Sequence, residues 1–362
     1  MRVKLAVVGI VAVFLAFQQQ VRAQQQNSDA LLSQGSPFRA EATAGGLCCE
    51  GDHCGECCCN DPCCPPVWQV FGDFLYLRPC RAGISYAVPI NGDIDSEPAI
   101  PVQVGPMAVA DPTFEPGFRV GFGAAVSECS SLMGTFSWYE SSTADQVSVS
   151  RPIVLRSLVV HPGTPNAAAD FLEAQARYDL DFKTVDLDFR HIFACGDQYA
   201  LTWLAGARYA QLEQSFGSEF TVLGTETVTS DVDFDGGGIR VGLEGEWHAA
   251  NCGVMLYGKG TASFVGGRFR GKYYQGSSFD PTVVDTGWDG AWVVTMLDLE
   301  LGIGWQSPGG TLRVTAGYMF SGWEDAVLAR DFIRAVQTNN FNDDLGDSLV
   351  FDGLVTRAEL RF

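Results

Sequence analysis

The chain has 362 residues, of which 46% are hydrophobic and 18% charged, with 41 glycines, 24 phenylalanines and 12 cysteines. Its 23 basic and 43 acidic residues give a formal net charge of −20, which argues against a nucleic-acid partner because phosphates would be repelled. Sparse charge with abundant glycine and aromatic residues favours an all-β protein, and the length allows one large domain or two ordinary ones.

Residues 1–23 have the features of a secretory signal peptide. Arg2 and Lys4 form a basic start, and residues 5–17 are an uncharged apolar run that ends shortly before a predicted cleavage site after Ala23. This run is too short to span a membrane, and no later stretch has the roughly 18 apolar residues that a membrane helix needs. A buried N-terminal helix is the alternative. The sequence therefore predicts export.

Residues 24–66 are predicted to form an irregular, Cys-rich periplasmic extension. They begin Gln-rich, continue into CCEGDHCGECCCNDPCC at 48–64, and end at Pro65-Pro66. This composition contains too few apolar residues to build a hydrophobic core.

After residue 67 the chain alternates between apolar and polar residues, with the period of two that is typical of β-strands. In FRVGFGAAV, for example, Phe118 and Val120 share one side, while Arg119 and Gly121 share the other. Ten strands are predicted, near 68–78, 116–126, 131–140, 176–191, 199–214, 232–247, 253–268, 291–306, 311–322 and 348–362. The fourth strand changes parity between Thr184 and Val185, which predicts a bulge.

The connections between these strands alternate between short turns and long loops. Short turns are expected near 127–130, 194–198, 248–252 and 307–310. Long loops are expected near 80–115, 142–175, 217–230, 271–290 and 324–347. An extra hairpin arm at 152–160 leaves twelve strands as the alternative count.

Two features favour a membrane barrel over a soluble secreted β-protein. The apolar face is continuous over about ten residues, the length with which a tilted strand crosses a bilayer. Aromatic residues mark both ends of that face, as in the girdles of outer-membrane barrels. They are Trp68, Trp203, Trp247 and Trp305 near the short turns, and Trp138, Tyr178, Tyr209 and Trp323 near the long loops.

Lipid chemistry requires such a sheet to close, because an open edge would leave backbone groups unpaired in hydrocarbon. We therefore predict an all-β fold: a closed antiparallel transmembrane β-barrel at 67–362, integral to the outer membrane and surrounded by its lipid. The short turns and both termini of the barrel chain would face the periplasm.

Several stretches together resemble the Legionella-type major outer membrane protein family of pore-forming barrels. They are WQVFGDFLYLRP, EPGFRVGFG, YDLDFKTVDLDFRHIF, LAGARYAQLEQSF, GIRVGLEGEW and the closing RAELRF, and the resemblance covers about residues 66–362. The terminal Phe362 on an alternating strand looks like the signal read by outer-membrane assembly machinery. The resemblance implies an integral outer-membrane barrel with porin-like activity, and the cysteine cluster is not part of its pattern.

Charged residues of both signs lie on the polar faces of the predicted strands, which would face the lumen. The predicted pore-lining set is Arg119, Arg190, Arg208, Arg240, Arg313, Arg357, Asp186, Asp188, Glu244, Asp298, Glu300 and Glu359. Inward positions are also predicted for Asp179, Asp181, Glu246 and Arg361. These charges would line a narrow pore for small solutes or ions, or else form an ion-pair network that fills a non-conducting structural barrel. Ten strands lie nearer the filled limit than the water-channel limit.

The histidines give no sign of an enzyme. An active site at the outer rim would need a base or nucleophile clustered there, and His161 is the only histidine in a predicted long loop. No serine or acidic dyad stands out beside it. We expect no catalytic residues, no cofactor and no metal.

The cysteines are candidates for disulfides or cross-links, which an oxidising periplasm favours over thiols. The candidates are Cys48, Cys49, Cys54, Cys57, Cys58, Cys59, Cys63 and Cys64 in the cluster, and Cys129, Cys195 and Cys252 in short turns. A metal site remains an alternative, because His53, Cys54 and Cys57 have ligand-like spacing. These eleven cysteines would share one compartment, with Cys80 across the membrane. The odd number predicts a thiol left for a second copy or an envelope partner.

Overall fold

The structure, a computed structural model, describes residues 65–92, 101–249, 253–341 and 345–362. Within these ranges the chain is almost entirely β-structure, with one α-helix and a 3₁₀ turn at Pro165–Ala168. The strands are β1 (Trp68–Cys80), β2 (Ile84–Asn91), β3 (Ala108–Ala110), β4 (Glu115–Ser127), β5 (Ser130–Ser148), β6 (Ile153–Ser157), β7 (Glu173–Gly196), β8 (Tyr199–Thr221), β9 (Thr225–His248), β10 (Val254–Ser277), β11 (Val284–Gln306), β12 (Leu312–Val327) and β13 (Gly346–Arg361). The helix is α1 (Ala329–Thr338).

Ten antiparallel strands pair in a ring. Its order is β1-β13-β12-β11-β10-β9-β8-β7-β5-β4, and β1 pairs with both β4 and β13. The first and last strands of the barrel meet, since the Trp68 amide donates to the Phe362 carbonyl at 3.0 Å. All ten predicted strands are present in the predicted order. The alternative of twelve is wrong, because β6 pairs with β2 outside the ring.

The ring has two unlike ends. The predicted short turns at 127–130, 194–198 and 307–310 lie at one end, together with Trp68 and Phe362. The turn predicted at 248–252 falls partly outside the described residues. We call this the short-turn end and the opposite one the long-loop end. The three-stranded sheet β3-β2-β6 belongs to the connections at the long-loop end.

Two of the predicted long loops are wrong. Strands β8 and β9 pair as far as Thr221 and Thr225, so 217–230 is the end of a hairpin. In the same way, β10 and β11 pair as far as Gln275 and Val284, so most of 271–290 is strand. Alternation continues through both stretches, and only the face that carries the apolar residues changes.

The predicted bulge is also wrong. Thr184 and Val185 pair in continuous register with both neighbouring strands, and the register shift lies between Ile192 and Ala194. The apparent parity change arises because apolar residues face inward before Thr184 and outward after it.

Helix α1 lies in the segment predicted as the loop 324–347, and it contacts β2, β8, β9 and β10. Its buried residues, Ala329, Phe332, Ile333, Ala335 and Val336, lie on one face. It ends at Asn339, whose left-handed backbone (φ 50°) gives the usual C-terminal cap. None of the helices in the described residues is long and apolar enough to cross a membrane.

Candidate functional site

The outer surface of the short-turn half is an apolar belt. Leu187 on β7, Leu243 on β9 and Leu301 on β11 all point outward and are exposed by 58%, 47% and 71%. Bulky apolar side chains exposed in this number would be unfavourable in water, and a lipid-facing strand has this pattern.

The belt ends at one register row. Lys183, Gln211, Asp235 and Arg268 pair side by side on β7, β8, β9 and β10, and all four point outward. Above this row, toward the long-loop end, the outward positions are polar. They include Asp179 and Asp181, which were predicted to face the lumen and instead lie on the outer surface.

The aromatic residues predicted to face outward at the short-turn end do so, and those predicted near the long loops do so only in part. Trp68, Trp203, Trp247 and Trp305 are outward and exposed, as is Tyr209 at the upper edge of the belt. Trp138 has outward parity and is half-buried. Tyr178 and Trp323 were predicted to be interfacial but are buried inside the barrel.

Charged side chains fill the lumen of the short-turn half. All twelve predicted pore-lining residues lie there, and so do Glu246 and Arg361. The described residues contribute equal numbers of cations and anions to this network. The cations are Arg119, Arg190, Arg208, Arg240, Lys259, Arg313, Arg357 and Arg361, and the anions are Asp73, Asp186, Asp188, Glu244, Glu246, Asp298, Glu300 and Glu359.

Asp186 lies at the centre of this network. Its two oxygens accept from Nε and Nη2 of Arg208 at 2.7 and 2.9 Å, a bidentate pair, and Arg240 donates to it at 2.7 Å. Arg208 also reaches across to Asp298 at 2.7 Å, and Arg240 reaches Asp188 at 2.7 Å. The pairs therefore join β7, β8, β9 and β11 through the lumen.

A second cluster is centred on Asp73, which the sequence interpretation missed. Arg119 and Arg357 both donate to its fully buried carboxylate, with Arg357 at 2.7 and 2.9 Å. Lys259, also missed, lies 2.9 Å from Glu244, which Arg190 also contacts. Strand parity alone could have found both, because Asp73 and Lys259 occupy inward positions of β1 and β10.

Other ion pairs complete the network near the short-turn end. Arg313 donates to Glu246 at 2.8 Å, and Arg361 to Glu359 at 2.7 Å. Three small cavities of about 50 to 60 Å³ lie among these side chains, each with room for a few waters, and neighbouring cavities share lining residues. They extend from Pro65 and Pro66 at the short-turn end as far as Trp323.

The lumen of the long-loop half is apolar. Four rings, Tyr139, Phe182, Trp323 and Phe351, contact one another with centroids 4.7 to 6.0 Å apart directly above the charged network. Each of them is at most 5% exposed. They belong to one continuous apolar cluster that extends through α1.

The buried Gln214, Gln275 and Glu226 side chains lie among these apolar residues and have hydrogen-bond partners there. Gln214 accepts from the Tyr178 hydroxyl at 2.9 Å, and Gln275 donates to Glu226 at 2.6 Å. Asn166 also donates to Glu226, at 2.5 Å. Burial raises the pKa of the Glu226 carboxyl above its ordinary range, although the two amide hydrogen bonds counteract part of that rise.

The cysteine predictions reach the described residues at three positions. Cys129 and Cys195 lie at the short-turn end, and Cys80 lies at the other end, where its thiol donates to Asp352 at 3.0 Å. The cluster at 48–64 and Cys252 lie outside the described residues. The disulfide pairing of these cysteines therefore stays a prediction.

The loop histidine has a structural role. His161 accepts at Nδ1 from the Gly163 amide, 3.1 Å away, and its own amide donates to Gln275. Within the described ranges, no group of three His, Cys, Asp or Glu side chains could hold a metal ion.

The sequence matches the model of one protein family. The family model described as "Legionella pneumophila major outer membrane protein precursor" matches residues 60–353. No curated protein matches the chain in sequence. Among solved structures, the outer membrane protease OmpT from Escherichia coli is similar at 11% identity and a TM-score of 0.46, with 82% of this chain and 96% of that chain covered.

Two other solved structures are more distant. The toluene transporter TodX of Pseudomonas putida aligns at 8% identity, TM-score 0.25, over 88% of this chain and 96% of that one. Ail of Yersinia pestis aligns at 10% identity, TM-score 0.24, over 82% and 99%.

Proposed function

The chain belongs to the Legionella pneumophila major outer membrane protein family, and we propose that it is an outer-membrane barrel with a closed lumen that serves as a structural anchor of the cell envelope. The observation that carries this proposal is the apolar core of the long-loop half. Trp323 and Phe351 are 2% and 0% exposed inside the ring, as are core residues of a soluble protein. Ions do not cross such a layer, because a charge loses its hydration there.

The charged network below that core supports the same function. Equal numbers of cations and anions leave no net charge to select a solute, and most of the guanidinium groups are bonded to carboxylates on other strands. Such pairs hold the strands of the ring together, whereas the charged lining of an ion-selective pore is free to interact with the passing ion.

A narrow pore for small solutes or ions is the second candidate. The small cavities among the charged side chains favour it, because they give water a place inside the membrane-spanning half. Conduction would then require the apolar core to move aside.

Planar bilayer recordings distinguish the two. We expect the purified protein to insert without conductance steps, with its folded state verified by the shift in gel mobility on boiling. Discrete steps from protein that passes this check would overturn the closed lumen and establish the pore.

We further propose that residues 1–23 are removed on export and that the Cys-rich extension at 24–66 links the barrel to a second copy or to an envelope partner. The position of its attachment point supports this, because Pro65 and Pro66 lie at the short-turn end beside Cys129. Export to an oxidising compartment favours disulfides there.

Gels of whole envelopes test the link. Without reductant we expect a species larger than the monomer that reductant converts to the monomer, and the same gel after Cys48–Cys64 are replaced by serine is the control. A monomer under both conditions would contradict the cross-link.

A further inference from the structure

The chain from the last residue of β12 onward crosses the inside of the barrel. We define the strap as residues 327–341, which include α1. Gln214 of β8 donates to the Val327 carbonyl at 2.9 Å and accepts from the Ala329 amide at 3.1 Å. In the ring, β12 and β8 are separated by β11, β10 and β9, so the strap spans almost the full width of the lumen.

The strap and the four-ring cluster cover different sides of the lumen. Tyr139, Phe182, Trp323 and Phe351 come from β5, β7, β12 and β13. The strap extends to the opposite side, toward β8, β9 and β10. Val327, Leu328 and Ala329 are at most 1% exposed where it crosses. We infer that the strap is a displaceable gate: moving it aside would open the β8-to-β11 side of the lumen to the charged cavities below.

Besides the burial of its apolar face, specific side-chain contacts position the strap. Phe332 of α1 occupies the space left by Gly271 on β10, where an added Cβ would lie 2.6 Å from its ring. At the other end of α1, Gln337 donates to the carbonyls of Leu158 and Val160 at 2.8 and 3.0 Å. A helix of ten residues is marginal in water by itself, so α1 relies on these contacts to persist.

The Gly271 socket and Gln214 together give a way to displace the strap without altering it. A Gly271→Leu, Gln214→Ala variant fills the socket of Phe332 and removes the two hydrogen bonds to the strap backbone. The chain offers a matched control on the same two strands, Gly266→Leu with Gln211→Ala. Both control positions face outward, and a Cβ at Gly266 would meet nothing within 4 Å.

This inference rests on the closed lumen proposed above, and the same recordings separate the two. We expect the wild-type protein and the control to remain silent, and the opening variant to gain discrete conductance steps and faster hydrogen exchange in α1. Steps from the wild type would overturn the closed lumen. A folded, silent opening variant, with a silent wild type, would overturn the gate. If the double variant fails the boiling test, Gln214→Ala alone is recorded, with Gln211→Ala as its control, and its silence in a folded barrel would overturn the gate equally.

Discussion

The two halves of this barrel follow the same alternation with opposite polarity. On β7, Asp186 and Asp188 point inward and Leu187 points outward in the short-turn half. In the long-loop half of the same strand, Leu180 and Phe182 point inward while Asp181 points outward. The register is unbroken between them. The strand thus passes from a lipid environment into water, and the solvent outside decides which face is apolar.

Because of this inversion, different interactions stabilise the two halves of the barrel interior. Buried ion pairs hold the short-turn half, where Asp186 and Arg208 are 4% and 6% exposed. Aromatic packing holds the long-loop half, where Phe182 contacts three other rings. Removing one partner of a buried charge pair is costly because the other is left unpaired, whereas an exposed pair contributes little.

The largest effect is expected when a central buried anion is removed. Asp186→Ala leaves Arg208 without its bidentate partner and Arg240 with Asp188 alone, so we expect the free energy of unfolding to fall by about 3–5 kcal/mol. Denaturant titration of the barrel in detergent micelles, followed by gel mobility without boiling, measures this. On the same strand, Asp179→Ala removes an exposed partner of Arg177 and should change stability by less than about 1 kcal/mol. Equal losses of stability for the two variants would contradict the distinction between buried and exposed ion pairs.

The strands and their order could be predicted from the sequence, because alternation depends only on the period of two. The strand ends could not. The rule that apolar residues face outward holds for Leu187 and fails for Phe182, so strands β8 to β11 were predicted too short at the long-loop end. The same rule assigned Asp179 and Asp181 to the lumen and Tyr178 to the membrane interface.

The charged lumen was predicted in part, and the strap was not predicted at all. Parity identified Arg208 and Asp186 correctly, while Asp73 was overlooked on a strand whose other inward residues are mostly apolar. The strap depends on contacts of Gln214 and Gly271 with residues far along the chain. Its amphipathic pattern is short and lies between two strands, so the sequence alone predicts a loop there. The contacts with β8 and β10 that stabilise the helix exist only in the closed ring.

A smaller and more specific effect is expected for a charge buried in the apolar half. Glu226 is 3% exposed and accepts hydrogen bonds from the Gln275 and Asn166 amides. Because burial raises its pKa in the folded protein, the folded state holds the proton more tightly than the unfolded state. Stability is therefore greatest below the ordinary glutamate pKa. It falls as pH rises from that value to the raised one, and is constant above.

Glu226→Gln removes the contribution of this carboxyl group to the pH dependence of stability. The substituted amide cannot ionise, and the Asn166 amide can turn to present its oxygen, so we expect a gain on the order of 1 kcal/mol at neutral pH. The melting temperature of the wild type, recorded from acidic to neutral pH, should decline through the window above the ordinary glutamate pKa, and that of the variant should decline less steeply there. Glu219→Gln on β8, an exposed carboxylate that accepts from Gln175, is the control and should keep the wild-type slope. If the variant retains the wild-type slope, Glu226 does not contribute to the pH dependence, and its burial does not disfavour the ionised form.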